Sequence, residues 1–219
     1  MRITDIPICS PRKASFSAAG RFLAALVVIF VLSGCGGSRP IKYYQISYPA
    51  AATASPNPIN AVLTVRTFES SHLYLDDKIV YGFDSPEMGT YEYQRWVEPP
   101  IAILQDALVR GLRASGHFRG VYNLRSDVNG DFILAGHLYE FKEVDGSTIV
   151  ARLSYETRLR ERKTGLTVWH FSYNHDEPVP DKNINSFVQA MDKNVQRSVQ
   201  EVQAALEQYF QAHPVKSPQ

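Results

Sequence analysis

Hydrophobic and polar positions alternate most clearly along Thr148–Arg160. There Ile149, Ala151, Leu153, Tyr155, Thr157 and Leu159 interleave with Val150, Arg152, Ser154, Glu156, Arg158 and Arg160. A two-residue period puts one set on a packed face and the other in water, as in an antiparallel strand with one solvated side. The flanking runs, Asp131–Val144 and Leu166–His175, are also β-prone. Asp145-Gly146 and Thr164-Gly165 join the three as hairpins, predicting an antiparallel meander. Trp169, Phe171 and Tyr173 share one face of the third run, read as its core face.

Upstream, Ile41–Ser47 (IKYYQIS) reads as a short strand, and the proline- and alanine-rich stretch Tyr48–Asn60 as a loop. Ala61–Phe68 (AVLTVRTF) is apolar on both faces, as an interior strand requires. Lys78–Phe83 and Gly89–Trp96 are β-prone runs separated by DSPEM and predict a hairpin. Phe118–Arg125 predicts one more short strand.

Helical spacing governs two segments. Ile101, Leu104, Leu108 and Leu112 follow Glu98-Pro99-Pro100, where proline suits a first turn and Glu98 the positive end of the dipole; Gly116 supplies the stop. Ile184, Phe187, Val188, Met191, Val195, Val199, Val202, Leu206 and Tyr209 trace one stripe of a long helix, with Asp181 or Asn183 as its cap. The elements predict an α+β fold, a mostly antiparallel sheet with two helices packed on one face. Residues 61–212 form the single domain, and residues 35–60 a tether containing a short strand.

The remaining apolar run, Phe22–Leu32 (FLAALVVIFVL), lacks any amphipathic period. As a helix it spans about 16 Å, roughly half of a hydrocarbon core of about 30 Å, so it is too short for a membrane span. Arg2, Arg12, Lys13 and Arg21 precede it and the small pair Ser33-Gly34 ends it, the layout of a signal segment over residues 1–34. Leu32-Ser33-Gly34-Cys35 resembles the bacterial lipobox, whose cysteine is lipidated and becomes the first residue; the alternative is an ordinary signal with a cysteine nearby. Gly36 to Pro40 have the composition of a tether. Three acyl chains exceed what stable anchoring needs. Lipoprotein sorting disfavours the outer membrane when aspartate follows the cysteine; here Gly36 follows, so the expected location is the periplasmic face of the outer membrane.

Composition narrows the chemistry. The 219 residues carry a net charge of +1, and without residues 1–34 the balance is 19 basic against 21 acidic side chains, which leaves no nucleic-acid footprint. Both cysteines, Cys9 and Cys35, precede the domain, so neither a thiolate zinc site nor a catalytic cysteine is available within it. His72, His117, His137, His170, His175 and His213 show no metal-ligand spacing on a helix, and His170 and His175 fall on opposite faces of a strand. His175-Asp176-Glu177 and the pair Asp76-Asp77 read as solvated loop acids. With no Gly-x-Ser-x-Gly elbow and no phosphate-binding glycine loop, neither an enzyme nor a cofactor is expected.

An aromatic and cationic group stands out instead: Tyr81, Phe83, Tyr91, Tyr93, Arg95 and Trp96. Alternation places Tyr91, Tyr93 and Arg95 on one face of the second hairpin strand and Trp96 on the other. Aromatics with arginine are enriched at protein interfaces, which makes Tyr91, Tyr93 and Arg95 candidate partner-binding residues; Trp96 reads better as core at a strand–helix corner.

The order of these motifs resembles the ABC-type transport auxiliary lipoproteins, the paraquat-inducible PqiC-like group. The lipobox at Cys35, KYYQIS, VLTVRTFESSHLYLDDKIVYGF, YEYQRWVEPP, the amphipathic helix and the C-terminal meander with its helix carry the resemblance. It implies a non-enzymatic component of a lipid-transport system. The partners would be an MCE-domain protein, an ABC permease and ATPase, and the outer membrane through the lipid anchor. A homo-oligomer would suit a docking collar. The other reading is a periplasmic lipid-binding module that carries an acyl chain in a groove between sheet and helices. Lipidation is directly measurable: mass spectrometry of the mature protein should show a diacylglyceryl and acyl mass increment that Cys35→Ala abolishes.

Overall fold

The computed structural model of the chain describes residues 39–47, 58–83, 85–124 and 128–215. Cys35, the signal segment and most of the Tyr48–Asn60 loop lie outside the described residues. Strands β1 (Lys42–Tyr44), β2 (Ile59–Val65), β3 (Glu69–Ser70), β4 (Lys78–Phe83) and β5 (Met88–Trp96) precede helix α1 (Pro100–Ala114). Strands β6 (Phe118–Asn123), β7 (Phe132–Asp145), β8 (Val150–Glu161) and β9 (Thr167–Pro178) follow, and helix α2 (Ile184–Ala212) closes the order. The predicted runs and these elements agree within a few residues, the usual uncertainty of element ends.

The meander forms as its hairpin signals require, with β7 antiparallel to β8 and β8 to β9. Ala151, Leu153, Tyr155, Thr157 and Leu159 are buried, and the alternate side chains are wet. On its other edge, β7 takes three short strands in succession, all parallel to it. Leu63–Val65 lie against Phe132–Leu134, Glu69-Ser70 against His137-Leu138, and Val80–Phe83 against Lys142–Asp145. β6 then adds in parallel to β2, β5 adds antiparallel to β4, and β1 adds in parallel to β5.

The sheet is therefore mixed, which corrects the expected mostly antiparallel arrangement. Among the described residues, five of the eight strand pairings are parallel. Parallel neighbours cannot be joined by a tight turn, so their pairing leaves no local mark in the sequence. The α+β layering and the two helices stand as expected. Both helices contribute buried residues to one core with the sheet, and α1 also packs on α2.

Proline begins α1 as expected: Pro99 is its N-cap, and Pro100 occupies the first turn, where a missing N–H costs nothing. Gly116 ends it at φ 63°, in the left-handed region that favours glycine. Inside α1, a methyl group at Gly111 would overlap Val199 of α2, so the glycine sets how closely the two helices approach. Trp96 is fully buried, its ring 5.4 Å from Phe141 and 6.0 Å from Phe187, which makes it the corner residue joining β5 to the core.

Asn183, one of the two expected caps, accepts a hydrogen bond from the Ser186 N–H at 3.0 Å. Asp181 supports it by accepting from the Ser186 hydroxyl at 3.1 Å. A polar residue also interrupts the buried stripe of α2. Asn194 is fully buried, and its amide donates to the carbonyls of Ala151 and His175 at 2.8 and 2.9 Å. Its oxygen accepts from the Tyr173 hydroxyl at 2.6 Å. One side chain thus ties α2 to β8 and β9 with every polar atom engaged, the condition for burying an amide without penalty.

Asn194→Leu leaves two carbonyls and a phenol without this partner. The expected cost is about 3 kcal/mol in urea unfolding, from buried groups left unsatisfied at about 1–3 kcal/mol each. A change within about 0.5 kcal/mol, the range of inert surface substitutions, would remove the clamp from the account.

Candidate partner-binding surface

The β4–β5 hairpin positions the three candidates, and its register decides where each one points. Lys78 lies opposite Arg95 and Val80 opposite Thr90, so five steps of β5 run beside two of β4. The surplus is odd. Residues facing each other across a pair share a face, and so do Lys78 and Val80, yet Thr90 and Arg95 differ in parity. Between them β5 turns over, and Tyr91 and Arg95 emerge on opposite faces. Regular alternation, which would keep Tyr91, Tyr93 and Arg95 together, cannot foresee this irregularity.

Tyr91 enters a cluster at the end of β7. Its hydroxyl donates to the Glu143 carboxylate at 2.8 Å, and its ring lies 4.9 Å from Tyr81. Tyr81 in turn meets Phe83 edge to face at 6.3 Å and lies over Gly89, where any Cβ would strike its ring. Phe83 and Met88, near the hairpin end, are 47% and 44% exposed. Burial, followed by the hydrogen bond to Glu143, raises the Tyr91 phenol. Burial likewise pushes the Glu143 carboxyl above the usual carboxylate range. The Tyr91 hydrogen bond opposes that shift and the charge of Asp145 adds to it.

Arg95 lies 3.6 Å from Asp77 in an ion pair, beside the pair of Asp76 and Lys78 at 3.6 Å. Across the next strand it faces Tyr43 of β1, which is 61% exposed. Tyr93 is half-buried, and the hydrogen bond and charge of Glu92 raise its phenol. The structure thus brings Tyr91 together with Tyr81, Phe83 and Glu143, and Arg95 together with Tyr43 and Asp77. Cys35, the lipidation candidate, lies outside the described residues.

The remaining polar candidates are engaged in local pairs. Arg152 grips Asp176 through two hydrogen bonds of 2.7 Å, which hold that carboxyl below its ordinary range. His175 meets Glu177 at 3.3 Å, His170 meets Glu156 at 3.3 Å, and His117 meets Glu207 at 3.4 Å. His137 lies 4.0 Å from Glu69 and His213 stacks on Tyr209 at 4.6 Å. His72 sits in a 3-10 turn before β4. Among the described residues no group of three or more His, Cys, Asp or Glu side chains could hold a metal ion.

The model of the ABC-type transport auxiliary lipoprotein component matches residues 44–203, from the end of β1 through α1 and into the second half of α2. The chain belongs to this auxiliary lipoprotein family. Two solved structures share the fold of this auxiliary lipoprotein. A Xanthomonas campestris protein of family DUF330 superposes with a TM-score of 0.70 at 16% identity, covering 78% of this chain and 98% of its own. An uncharacterised protein superposes at 0.62 and 13% identity, covering 77% and 99%. No curated protein matches the sequence.

Glu143 gives this surface of the lipoprotein a measurable signature. Its folded carboxyl titrates above the unfolded value of about 4.3, so its contribution to stability is full below that value and falls as pH rises through the folded one. Glu143→Gln keeps an acceptor for Tyr91 and removes the buried charge. Thermal unfolding should show the variant at least as stable as the parent near pH 7, with the difference shrinking toward about pH 4. A variant that loses ground as pH rises would show that the charged form is favoured there.

Proposed function

We propose that this auxiliary lipoprotein is a non-enzymatic docking component of an MCE-type ABC system that moves lipids or organic solutes between the envelope membranes. Cys35 would anchor it to the periplasmic face of the outer membrane. The family match over residues 44–203 carries the reading, and the lipobox at the head of a short tether supports it. Gly36, in place of an aspartate after the cysteine, favours the outer membrane.

Physical sense agrees with this assignment. A domain clamped by a buried amide and closely packed helices is a rigid part, suited to holding a position while ATP is hydrolysed elsewhere in the system. Arg95, with exposed Tyr43 opposite it on β1, and half-buried Tyr93 offer partner contacts near the start of the described domain. Tyr91 contributes to the neighbouring patch under the hairpin.

Affinity purification of the tagged lipoprotein from envelope extracts should recover an MCE-domain protein together with the permease or ATPase. Tyr93→Ala with Arg95→Ala should reduce that recovery severalfold while the anchor is retained and the protein stays folded by circular dichroism. Recovery of no transporter subunit by the parent protein would overturn the docking role.

A further inference from the structure

Large side chains occupy the core between sheet and helices. Trp96, Phe141, Phe187, Leu153, Tyr155 and Met191 are all buried there. At the far end of α2 a cleft of about 800 Å³ lies among the ends of β2, β6, β7, β8 and α2. Its floor is a train of rings. Phe132 meets Phe210 at 5.1 Å, Phe210 meets Tyr209 at 5.1 Å, and Tyr209 carries the stacked ring of His213. Val168 and Val215 extend the apolar lining.

The cleft's charged groups come from β6, the end of β8, the β8–β9 turn and the segment before β7. Asp131 is engaged twice, accepting from the Val62 N–H at 2.8 Å and from Arg119 at 3.4 Å. Glu161 accepts from the Thr164 hydroxyl at 2.6 Å. Arg162 and Lys163 are exposed, and neither side chain has an ion pair or hydrogen bond among the described residues. Two uncommitted cations thus stand beside an aromatic floor that water wets poorly. An anion with an apolar body satisfies both at once, whereas a free anion leaves the floor uncovered and a neutral chain leaves the cations unused.

We infer that this cleft is a binding site for an anionic amphiphile, with the headgroup held by Arg162 and Lys163 and the chain laid over Phe132, Tyr209 and Phe210. Arg119 is a supporting group, since it already neutralises Asp131. The site lies outside Tyr91, Tyr93 and Arg95, and it does not require the docking role. Binding is read on the purified chain and docking on the assembled system, so each can fail alone.

The test is calorimetric titration of the chain carrying Cys35→Ala, with each lipid kept below its micelle concentration. Lysophosphatidylglycerol and myristate are the anionic probes, one with a phosphate and one with a carboxylate. Lysophosphatidylcholine tests the headgroup and inorganic phosphate tests the chain. At least one anionic probe should bind at least tenfold more tightly than lysophosphatidylcholine, and phosphate alone should give no measurable binding. Which anionic probe is tighter identifies the headgroup.

Arg162→Glu with Lys163→Glu, both in an exposed turn, should weaken binding at least tenfold without lowering the melting temperature. Lys182→Glu with Lys193→Glu, an equal charge reversal outside the cleft, should leave it unchanged. Equal binding of the choline lipid, an unaffected Arg162/Lys163 variant, or no binding of either anionic probe would each overturn the site.

Discussion

β7 is the strand on which the rest of the sheet depends. Its 14 residues present one continuous edge to β8 and the other to three separate short strands, β2, β3 and β4. Without that second edge the sheet would fall into three pieces, β1-β5-β4, β2-β6 and β7-β8-β9, with β3 left unpaired. Because unpaired backbone groups are costly inside a protein, the edge of β7 has to be filled along its length. The 2-residue β3, too short to stand alone, exists because the middle of β7 supplies partners for it.

The helices then need only a face to lie on, and two local features fix how they lie. Gly111 allows α1 and α2 to approach closely, and Asn194 holds α2 in register with the carbonyls of β8 and β9. A slide of α2 by one turn would carry the amide away from those carbonyls and bury it among apolar groups. Uncompensated burial of a polar group is expensive, so the amide discriminates between registers as well as stabilising one of them.

Much of this was legible in the sequence, and the limits follow from the physics. Alternation along Thr148–Arg160, the two glycine turns, the double proline before Ile101 and the stripe ending at Tyr209 are local signals, and each gave its element. Trp96 as core and Asn183 as cap followed from the same kind of reasoning. The parallel edge of β7 did not, because Leu63 and Phe132 meet across 69 residues of chain with no tight turn joining their strands. Nor did the inversion within β5, which needs the register of β4 to become visible, and so alternation grouped Tyr91 with Arg95 when the fold separates them. The cleft is harder still. Phe132, Arg162 and Tyr209 come from three elements, and nothing in their spacing shows that they meet.

Synthesis proceeds from the N terminus, and that gives the edge of β7 a temporal side. Val65 and Phe132 are 67 residues apart, so β2 and β4 emerge before the edge of β7, whether from a ribosome or across a membrane. During that interval β2 can find β6, and β4 can find β5, but the edges of β2 and β4 that β7 will cover remain open. Open strand edges are templates for the wrong partner, including a second copy of the same chain. The hairpin of β7 and β8, by contrast, closes within microseconds of its completion. The first half of this domain is thus a pair of waiting edges, and its safe folding depends on what shields them until a strand encoded later arrives.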